Sequence, residues 1–294
     1  MLLRRIVGGG ASLAATGLLL RHGSSSTNGQ TTTSCAAAKG GRKGVAVVTG
    51  GSRGIGAATC KLLASEGYRV AVNYRTDGAA AARVVAEIEA AGGVAAAIRA
   101  DVAVEADVAR LFEETEARLG TPLVALVNNA GITTSPPRGP TTTLEGLRTE
   151  ELARVLQTNV VGALLCCREA SARMGAAGGG GAIVNVSSGS AYIGGNLAYA
   201  VSKGAMNSLQ CALVAPLMAR GIRINTVSPG MCETDMTAEL VKAVDARTAT
   251  PAGRVGQPRE VAHAIAWLLD ADKASYTAGA NIRVAGGKQT GFGQ

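Results

Sequence analysis

Tyr199 and Lys203 stand four residues apart in the run Tyr199-Ala200-Val201-Ser202-Lys203. On a helix that spacing puts a phenol and an ammonium on one face. A free phenol, with a pKa of about 10, is a poor proton shuttle near neutrality. A neighbouring cation favours the phenolate and lowers that value. The pair could therefore serve as a general acid and base. The same spacing also arises between a packed tyrosine and a solvated lysine, so it gains weight only from its surroundings. Tyr192 has no such partner, because Asn196 stands where the lysine would be.

A second signal lies near the other end of the chain. Gly44-Val45-Ala46-Val47-Val48 is short, apolar and rich in β-branched residues, and it reads as a buried strand. Thr49-Gly50-Gly51-Ser52-Arg53-Gly54-Ile55-Gly56 follows, then helical composition from Ala57 to Ser65. Strand, glycine turn and helix form the setting of a dinucleotide-binding loop. Small residues let the backbone approach a pyrophosphate, and the helix N-terminus offers free N–H groups to it.

Together these segments resemble the short-chain dehydrogenase/reductase family, whose glycine motif has the form Thr-Gly-x-x-x-Gly-x-Gly. The likeness extends over roughly residues 44 to 288. Asn128-Asn129-Ala130-Gly131 matches the family's turn after the fourth strand. Asn159 matches its mid-helix active-site Asn, and Ile183 to Ser188 the strand ending in its catalytic Ser. Asn225 to Gly230 with Thr234 matches the segment that receives nicotinamide. Pro258 to Ala262 and Ser275 to Gly279 match its C-terminal signatures. The chain is similar to 3-oxoacyl-[acyl-carrier-protein] reductases and to glucose 1-dehydrogenase-like oxidoreductases.

The resemblance implies hydride transfer between a nicotinamide and a carbonyl or alcohol carbon. It gives Tyr199 the proton transfer, and Lys203 the nicotinamide ribose and the lowering of the phenol pKa. Ser188 would orient the substrate oxygen, and Asn159 would hold a water linking Lys203 to solvent. It assigns cofactor contacts to Gly50, Ser52, Arg53, Gly54 and Ile55, to Asn128, Asn129, Ala130 and Gly131, and to Pro229, Gly230 and Thr234. Asp101 and Val102 would flank the adenine. No metal is required. One departure concerns the serine. Ser188 lies 11 residues before Tyr199, whereas the family usually places about 13 there; Ser187 would give 12. Ser188, the second of the pair, is taken as the catalytic one. A second departure is Ala285 before Gly286-Gly287, where the family often has Asp.

The tip of the second strand bears on the cofactor. An NAD site usually places a carboxylate there for the ribose 2′-hydroxyl. Here the strand ends Val72-Asn73-Tyr74-Arg75. Arg75, and Arg53 in the glycine turn, are available to a 2′-phosphate, whose geometry a guanidinium matches. The reading is NADP(H), with Asp77 slightly further on as the contrary sign.

Strand and helix alternate along the chain. Strands are expected at Arg69 to Asn73, Val94 to Arg99, Leu123 to Val127, Ile222 to Val227 and Ile282 to Val284. Helices are expected over Ala79 to Ala91, Ala106 to Leu119, Thr149 to Met174, and from Tyr199 to Ala219. That order predicts one α/β, Rossmann-type, doubly wound domain over residues 44–294, a parallel sheet with helices on both faces. Ligands in such sheets bind beyond the carboxyl ends of the strands. Residues 134–143 read as a loop at the mouth of the site.

The net charge is +8, and six of the positive charges, Arg4, Arg5, Arg21, Lys39, Arg42 and Lys43, fall in residues 1–43, which hold no Asp or Glu. Basic, hydroxyl-rich and acid-free, that segment reads as an organelle transit peptide, mitochondrial before plastid. A secretory signal or an unaddressed, disordered extension of a cytoplasmic protein are the alternatives. Its apolar stretch is too short to span a membrane. The near-neutral remainder gives no argument for nucleic-acid binding. The six cysteines show no Cys-x-x-Cys spacing, and the two histidines, His22 and His263, lie far apart, which disfavours zinc and a histidine triad. Most cysteines are expected to be small buried hydrophobes; Cys232, in the nicotinamide loop, could be accessible.

Two classes of function remain. The first is an NADP(H)-dependent carbonyl reductase or alcohol dehydrogenase for a small molecule. Its substrate would be a 3-oxoacyl-carrier protein, a sugar or polyol, or a xenobiotic carbonyl. Arg154, Arg168 and Arg173 could dock an acidic carrier protein, although an ordinary solvated helix face is favoured for them. The second class is a non-catalytic NADP-binding regulator, which would be expected to lack part of the Tyr/Lys/Ser/Asn set. The resemblance also implies a homotetramer.

Overall fold

The computed structural model describes residues 43–134, 144–176, 179–243, 245 and 250–288. The proposed transit peptide and nearly all of the 134–143 loop lie outside them. Among the described residues, seven strands form one all-parallel sheet in the order β3-β2-β1-β4-β5-β6-β7. They are β1 (Val45–Val48), β2 (Arg69–Tyr74), β3 (Val94–Arg99), β4 (Leu123–Asn128), β5 (Gly181–Val186), β6 (Ile222–Pro229) and β7 (Asn281–Val284).

The strands are apolar almost throughout because both faces of the sheet are covered. Successive residues alternate between two core layers. Val45, Val47, Leu126, Ile183 and Ile224 face one layer, with Leu111 and Phe112 of α3 (Glu105–Leu119), Cys166 and Met174 of α5 (Gly162–Ala176), and Met206 of α7 (Leu197–Met218). Ala46, Val48, Val72, Val127 and Val184 face the other. There they meet Leu63 of α1 (Gly54–Ser65), Val84 and Ile88 of α2 (Gly78–Ala90), and Ile265 and Leu268 of α9 (Pro258–Leu269).

The chain winds outward from β1 in one direction and from β4 in the other. Its strand order therefore reverses between these two neighbours, and a crevice opens past their carboxyl ends, where doubly wound sheets bind ligands. The glycine turn leaves β1 there, and Asn128 to Gly131 leave β4 beside it.

The expected elements are present with ends shifted by at most three residues, the largest shift being the start of α1 at Gly54 rather than Ala57. The long helix from Thr149 is α4 (Thr149–Leu156) joined to α5 through a π-helical segment, Gln157–Val161. Two short helices, α6 (Ser190–Ile193) and α8 (Ala238–Ala243), lie where no helix was expected.

Candidate active site

The glycine turn is shaped by close approach. A Cβ at Gly56 would lie 2.2 Å from the Gly50 carbonyl oxygen, and Gly54 has φ +54°, in the left-handed region. Helix α1 has no side-chain cap at its N-terminus. Its first N–H groups therefore face the crevice with the positive end of the helix dipole behind them, a fit for a pyrophosphate.

Two asparagines and a threonine hold this turn. Asn129 Nδ2 donates to the Thr49 and Gly50 carbonyls at 2.9 and 3.0 Å. Thr49 Oγ1 accepts from the backbone N–H groups of Asn129 and Ala130, both at 3.0 Å. Gly50 N donates to Asn73 Oδ1 at 3.1 Å, while Asn73 Nδ2 reaches the Ala100 carbonyl at 3.1 Å. Asn73 thus fills the strand tip as a buried brace. The sequence shows only that the tip lacks an acid, not that its amide ties three elements together.

Asn128 faces the other way. Its amide is buried and donates to Asn185 Oδ1 at 3.0 Å and to Cys167 Sγ at 3.2 Å. Its side chain therefore joins β4 to β5 inside the core rather than lining the crevice where a cofactor contact was expected.

Arg75 and Asp101 lie together at the rim, 3.8 Å apart. Asp77 is occupied: it caps α2, accepting from Ala80 N at 2.8 Å. Asp101 Oδ1 also accepts from Ala103 N at 3.0 Å, and Val102 is buried beneath it. Arg53 is exposed and pairs with Asp235 at 3.6 Å. The loop after β6 thereby lies against the glycine turn, and a Cβ at Gly54 would sit 3.2 Å from Thr234 Cγ2. Pro229 and Gly230 begin that loop, fixed by hydrogen bonds from Gly189 N to Pro229 O at 2.8 Å and from Gly230 N to Val284 O at 2.9 Å.

Tyr199, Lys203, Ser188 and Asn159 converge past the ends of β4 and β5. Asn196 caps α7, accepting from Tyr199 N at 3.1 Å, so Tyr199 occupies the first turn. Lys203 follows one turn later, its Nζ 5.6 Å from the centre of the Tyr199 ring. Nζ donates to the Val186 carbonyl at 2.7 Å. Burial lowers the Lys203 pKa to about 8. Burial also raises the Tyr199 pKa, and a hydrogen bond with the Ser188 hydroxyl opposes that rise.

The two serines separate cleanly. Ser187 is buried and donates to the Lys203 carbonyl at 2.8 Å. Ser188 is the one whose hydroxyl meets Tyr199. The shortened segment after it folds as α6, beginning with a bond from Ser190 N to Ser188 Oγ at 3.1 Å.

Asn159 lies within the π-helical segment, 1% exposed. Its side chain pairs with both backbone groups of Ile132, accepting from N at 2.8 Å and donating to O at 2.9 Å. Its amide also donates to Ser202 Oγ at 2.9 Å. A Cβ at Gly131 would stand 3.3 Å from Lys203 Nζ and 3.5 Å from Asn159 Oδ1, so this glycine keeps the space between them open. π-bulges often mark functional sites, but helical periodicity in the sequence gives no sign of this one.

Other expectations are corrected. Cys232 is 4% exposed, in a bridge with Gly256, and burial lifts its thiol to about 11. It is thus a packed side chain rather than an accessible one. Cys60, Cys166 and Cys167 are buried, and Cys211 is exposed. Arg168 is paired with Glu105 and Glu169 at 2.7 and 3.1 Å, and Arg173 with Glu169 and Glu116 at 2.7 and 3.4 Å. With that charge matched internally, these arginines do not form a free basic patch for an acidic carrier. Among the described residues no cluster of His, Cys, Asp or Glu could hold a metal ion, and no helix is long and apolar enough to cross a membrane.

A buried tyrosine with a lysine one turn later, beside a glycine-turn crevice at the switch point of a seven-stranded parallel sheet, fits a nucleotide-dependent oxidoreductase of the Rossmann type. Residues 50–289 match the family model described as enoyl-(acyl carrier protein) reductase, and the chain belongs to the short-chain dehydrogenase/reductase family. It is 47% identical over 252 residues to an uncharacterized oxidoreductase of Escherichia coli K12, YgfF, covering 83% of this chain and 99% of that one. It is 39% identical over 247 residues to the 3-oxoacyl-[acyl-carrier-protein] reductase of Rattus norvegicus, covering 83% and 98%. Among solved structures, a gluconate dehydrogenase, so named provisionally, from Agrobacterium tumefaciens superposes with a TM-score of 0.76 at 35% identity, covering 84% of this chain and 95% of that one.

Proposed function

We propose that this oxidoreductase is an NADP(H)-dependent carbonyl reductase, with a short 3-oxoacyl thioester as its first substrate class. The observation that carries the chemistry is the Tyr199 phenol against the Ser188 hydroxyl, with the Lys203 ammonium 5.6 Å from the ring centre. When bound, the nicotinamide supplies or accepts the hydride. Ser188 holds the substrate oxygen, and Tyr199 gives it a proton in reduction or removes one in oxidation. Lys203, buried and near its own titration point at about 8, hydrogen-bonds the nicotinamide ribose and favours the phenolate. Asn159 keeps Lys203 in reach of solvent protons.

Gly50, Ser52, Arg53, Gly54 and Ile55 would hold the pyrophosphate end, and Asp101 and Val102 the adenine. The Asn129, Ala130 and Gly131 turn would border the ribose, and Pro229, Gly230 and Thr234 the carboxamide. The preference for NADP(H) is supported by the strand tip: Asp77 is committed to its helix cap, and Arg75 is left at the rim. The thioester reading is supported by the rat relative's name. With Arg168 and Arg173 paired internally and only Arg154 of the three docking candidates outside an ion pair among the described residues, a coenzyme A thioester suits this surface better than a carrier protein. Residues 1–43 carry the proposed mitochondrial address, which a fluorescent fusion of that segment tests directly.

The decisive experiment follows NADPH and NADH oxidation with acetoacetyl-CoA, sugars and simple ketones, using Tyr199→Phe as control. NADPH-linked thioester reduction that is lost in the variant supports the whole reading. Turnover of other carbonyls only keeps the chemistry and replaces the substrate. Tight NADPH binding without reduction of any carbonyl would favour a regulatory nucleotide-binding protein.

A further inference from the structure

The segment between Ser188 and Tyr199 is short, and it ends in a junction that bears on Tyr199. Gly194 and Gly195, at φ +78° and +126°, turn the chain out of α6. Asn196 then starts α7, and its side chain works in two directions. Its Oδ1 accepts from Tyr199 N at 3.1 Å. Its Nδ2 donates to the hydroxyl of Thr134. Thr134 is 2% exposed and lies two residues past Ile132, which Asn159 clamps through both backbone groups.

The backbone of Tyr199 is thereby held at both ends. Its N–H is bound by Asn196, and its carbonyl accepts from Ser202 Oγ at 2.7 Å. Both holds lead back to the same loop after β4: one through Thr134, the other through Ser202 and Asn159 to Ile132.

Charge matters as much as geometry at this junction. Asp caps a helix as well as Asn does, so capping alone does not select the amide. The groups that act on the Tyr199 phenol are its own burial and the Ser188 hydroxyl, with Lys203 beside the ring. No carboxylate is among them. An aspartate at 196 would place a negative charge against the backbone N–H of the same residue whose phenol must ionise.

We propose that Asn196 is a positioning residue for Tyr199: its neutral amide docks the first turn of α7 onto Thr134 of the loop after β4, and its lack of charge keeps the phenol free to ionise. This rests on the reading of Tyr199 as the proton-transfer group. Thr134 is the partner that makes Asn196 more than a cap.

The test reads Tyr199 directly. The phenol is titrated by tyrosinate absorbance with saturating NADP⁺, taking the difference between each protein and the same protein carrying Tyr199→Phe. Asn196→Asp retains the cap, and a Thr134 hydroxyl can donate to it. Its thermal midpoint should stay near that of the parent. Its Tyr199 titration midpoint should rise by about one pH unit, a roughly tenfold loss of acidity. Asn196→Ser, a good neutral cap, should leave the midpoint in place. Thr134→Val should lower kcat roughly tenfold with little change in KM; Asn196→Ala, which also removes the cap, should lower it at least as much, and adding Thr134→Val to it should cost nothing further, because the link between them is already broken. An Asn196→Asp midpoint equal to the parent's would overturn the proposal, as would additive losses in the double variant. Failure of the underlying reading looks different: Tyr199→Phe would then retain turnover, whatever the Asn196 variants do to the titration.

Discussion

Asn159 and Ser202 are joined by a 2.9 Å hydrogen bond that ties the π-helical segment to the helix carrying Tyr199. Both residues are buried, at 1% and 0% exposed. The Ser202 hydroxyl spends its own proton on the Tyr199 carbonyl, so it accepts from Asn159 and donates to the Tyr199 backbone at once. A single hydroxyl thus relates two of the four site residues.

Ser202→Ala should therefore strand one N–H of a buried amide, at a cost of roughly 1–3 kcal/mol of stability. Because the same hydroxyl steadies the turn that bears the phenol, kcat should fall as well. The coupling is measurable: Ser202→Ala and Asn159→Ala combined should lose less stability than their separate losses added. Thermal or denaturant unfolding of the four proteins in this cycle checks it, and strict additivity would show that the two side chains act independently.

The rim of the crevice makes a prediction about cofactor choice. Arg75 stands 3.8 Å from Asp101, half-exposed, a distance at which a 2′-phosphate could compete for the guanidinium. Arg75→Gln should raise KM for NADPH about tenfold, the size of one charged contact, and leave KM for NADH nearly unchanged. Equal effects on both cofactors would mean that Arg75 does not read the 2′ position.

Cys232 and Cys211 offer a contrast in reactivity. Cys232 is buried with its thiol pushed up to about 11, whereas Cys211 is exposed on α7. Alkylation needs the thiolate and access to it. Brief treatment with iodoacetamide followed by peptide mapping should find Cys211 modified well before Cys232. Early labelling of Cys232 would mean that the loop after β6 opens readily in solution.

Much of this site was legible in the sequence because its parts are local. The glycine turn, the Tyr199 and Lys203 spacing and the alternation of strand and helix all follow from short patterns of small, apolar and alternating residues. The choice of Ser188 over Ser187 followed from its place as the second serine after a strand, and the structure puts its hydroxyl on Tyr199. What the sequence hid depends on contacts between distant segments. Asn128 looks like its neighbour Asn129 in a motif, but strand alternation turns one amide into the core and the other onto the glycine turn. Arg168 and Arg173 read as a basic face until α3 brings Glu105 and Glu116 alongside. Asn196 could have been found, since Asn just before a helix is a recognisable start signal. Its second bond, to Thr134, could not.

Lys203 leads to a prediction about pH. Burial lowers its folded-state pKa to about 8, from 10.5 in the open chain. Below pH 8 the lysine is protonated in both states, and the folded state bears the full cost of burying the charge. Between about 8 and 10.5 the folded protein releases the proton while the unfolded chain keeps it. The unfolded state then binds more protons, so this group's contribution to stability rises with pH across that window. The gain is limited to about 3 kcal/mol by the size of the shift. Lys203→Met removes the titrating group while keeping much of the side-chain volume. In cofactor-free protein, the stability difference between Lys203→Met and the parent should therefore be largest below pH 8, in favour of the variant, and should shrink toward pH 10. Denaturant unfolding of both proteins at a series of pH values measures it. A difference that stays flat across the window would mean that Lys203 keeps its proton, held by the Val186 carbonyl 2.7 Å away. Lys203 would then serve the reaction as a permanently charged group rather than one near its titration point.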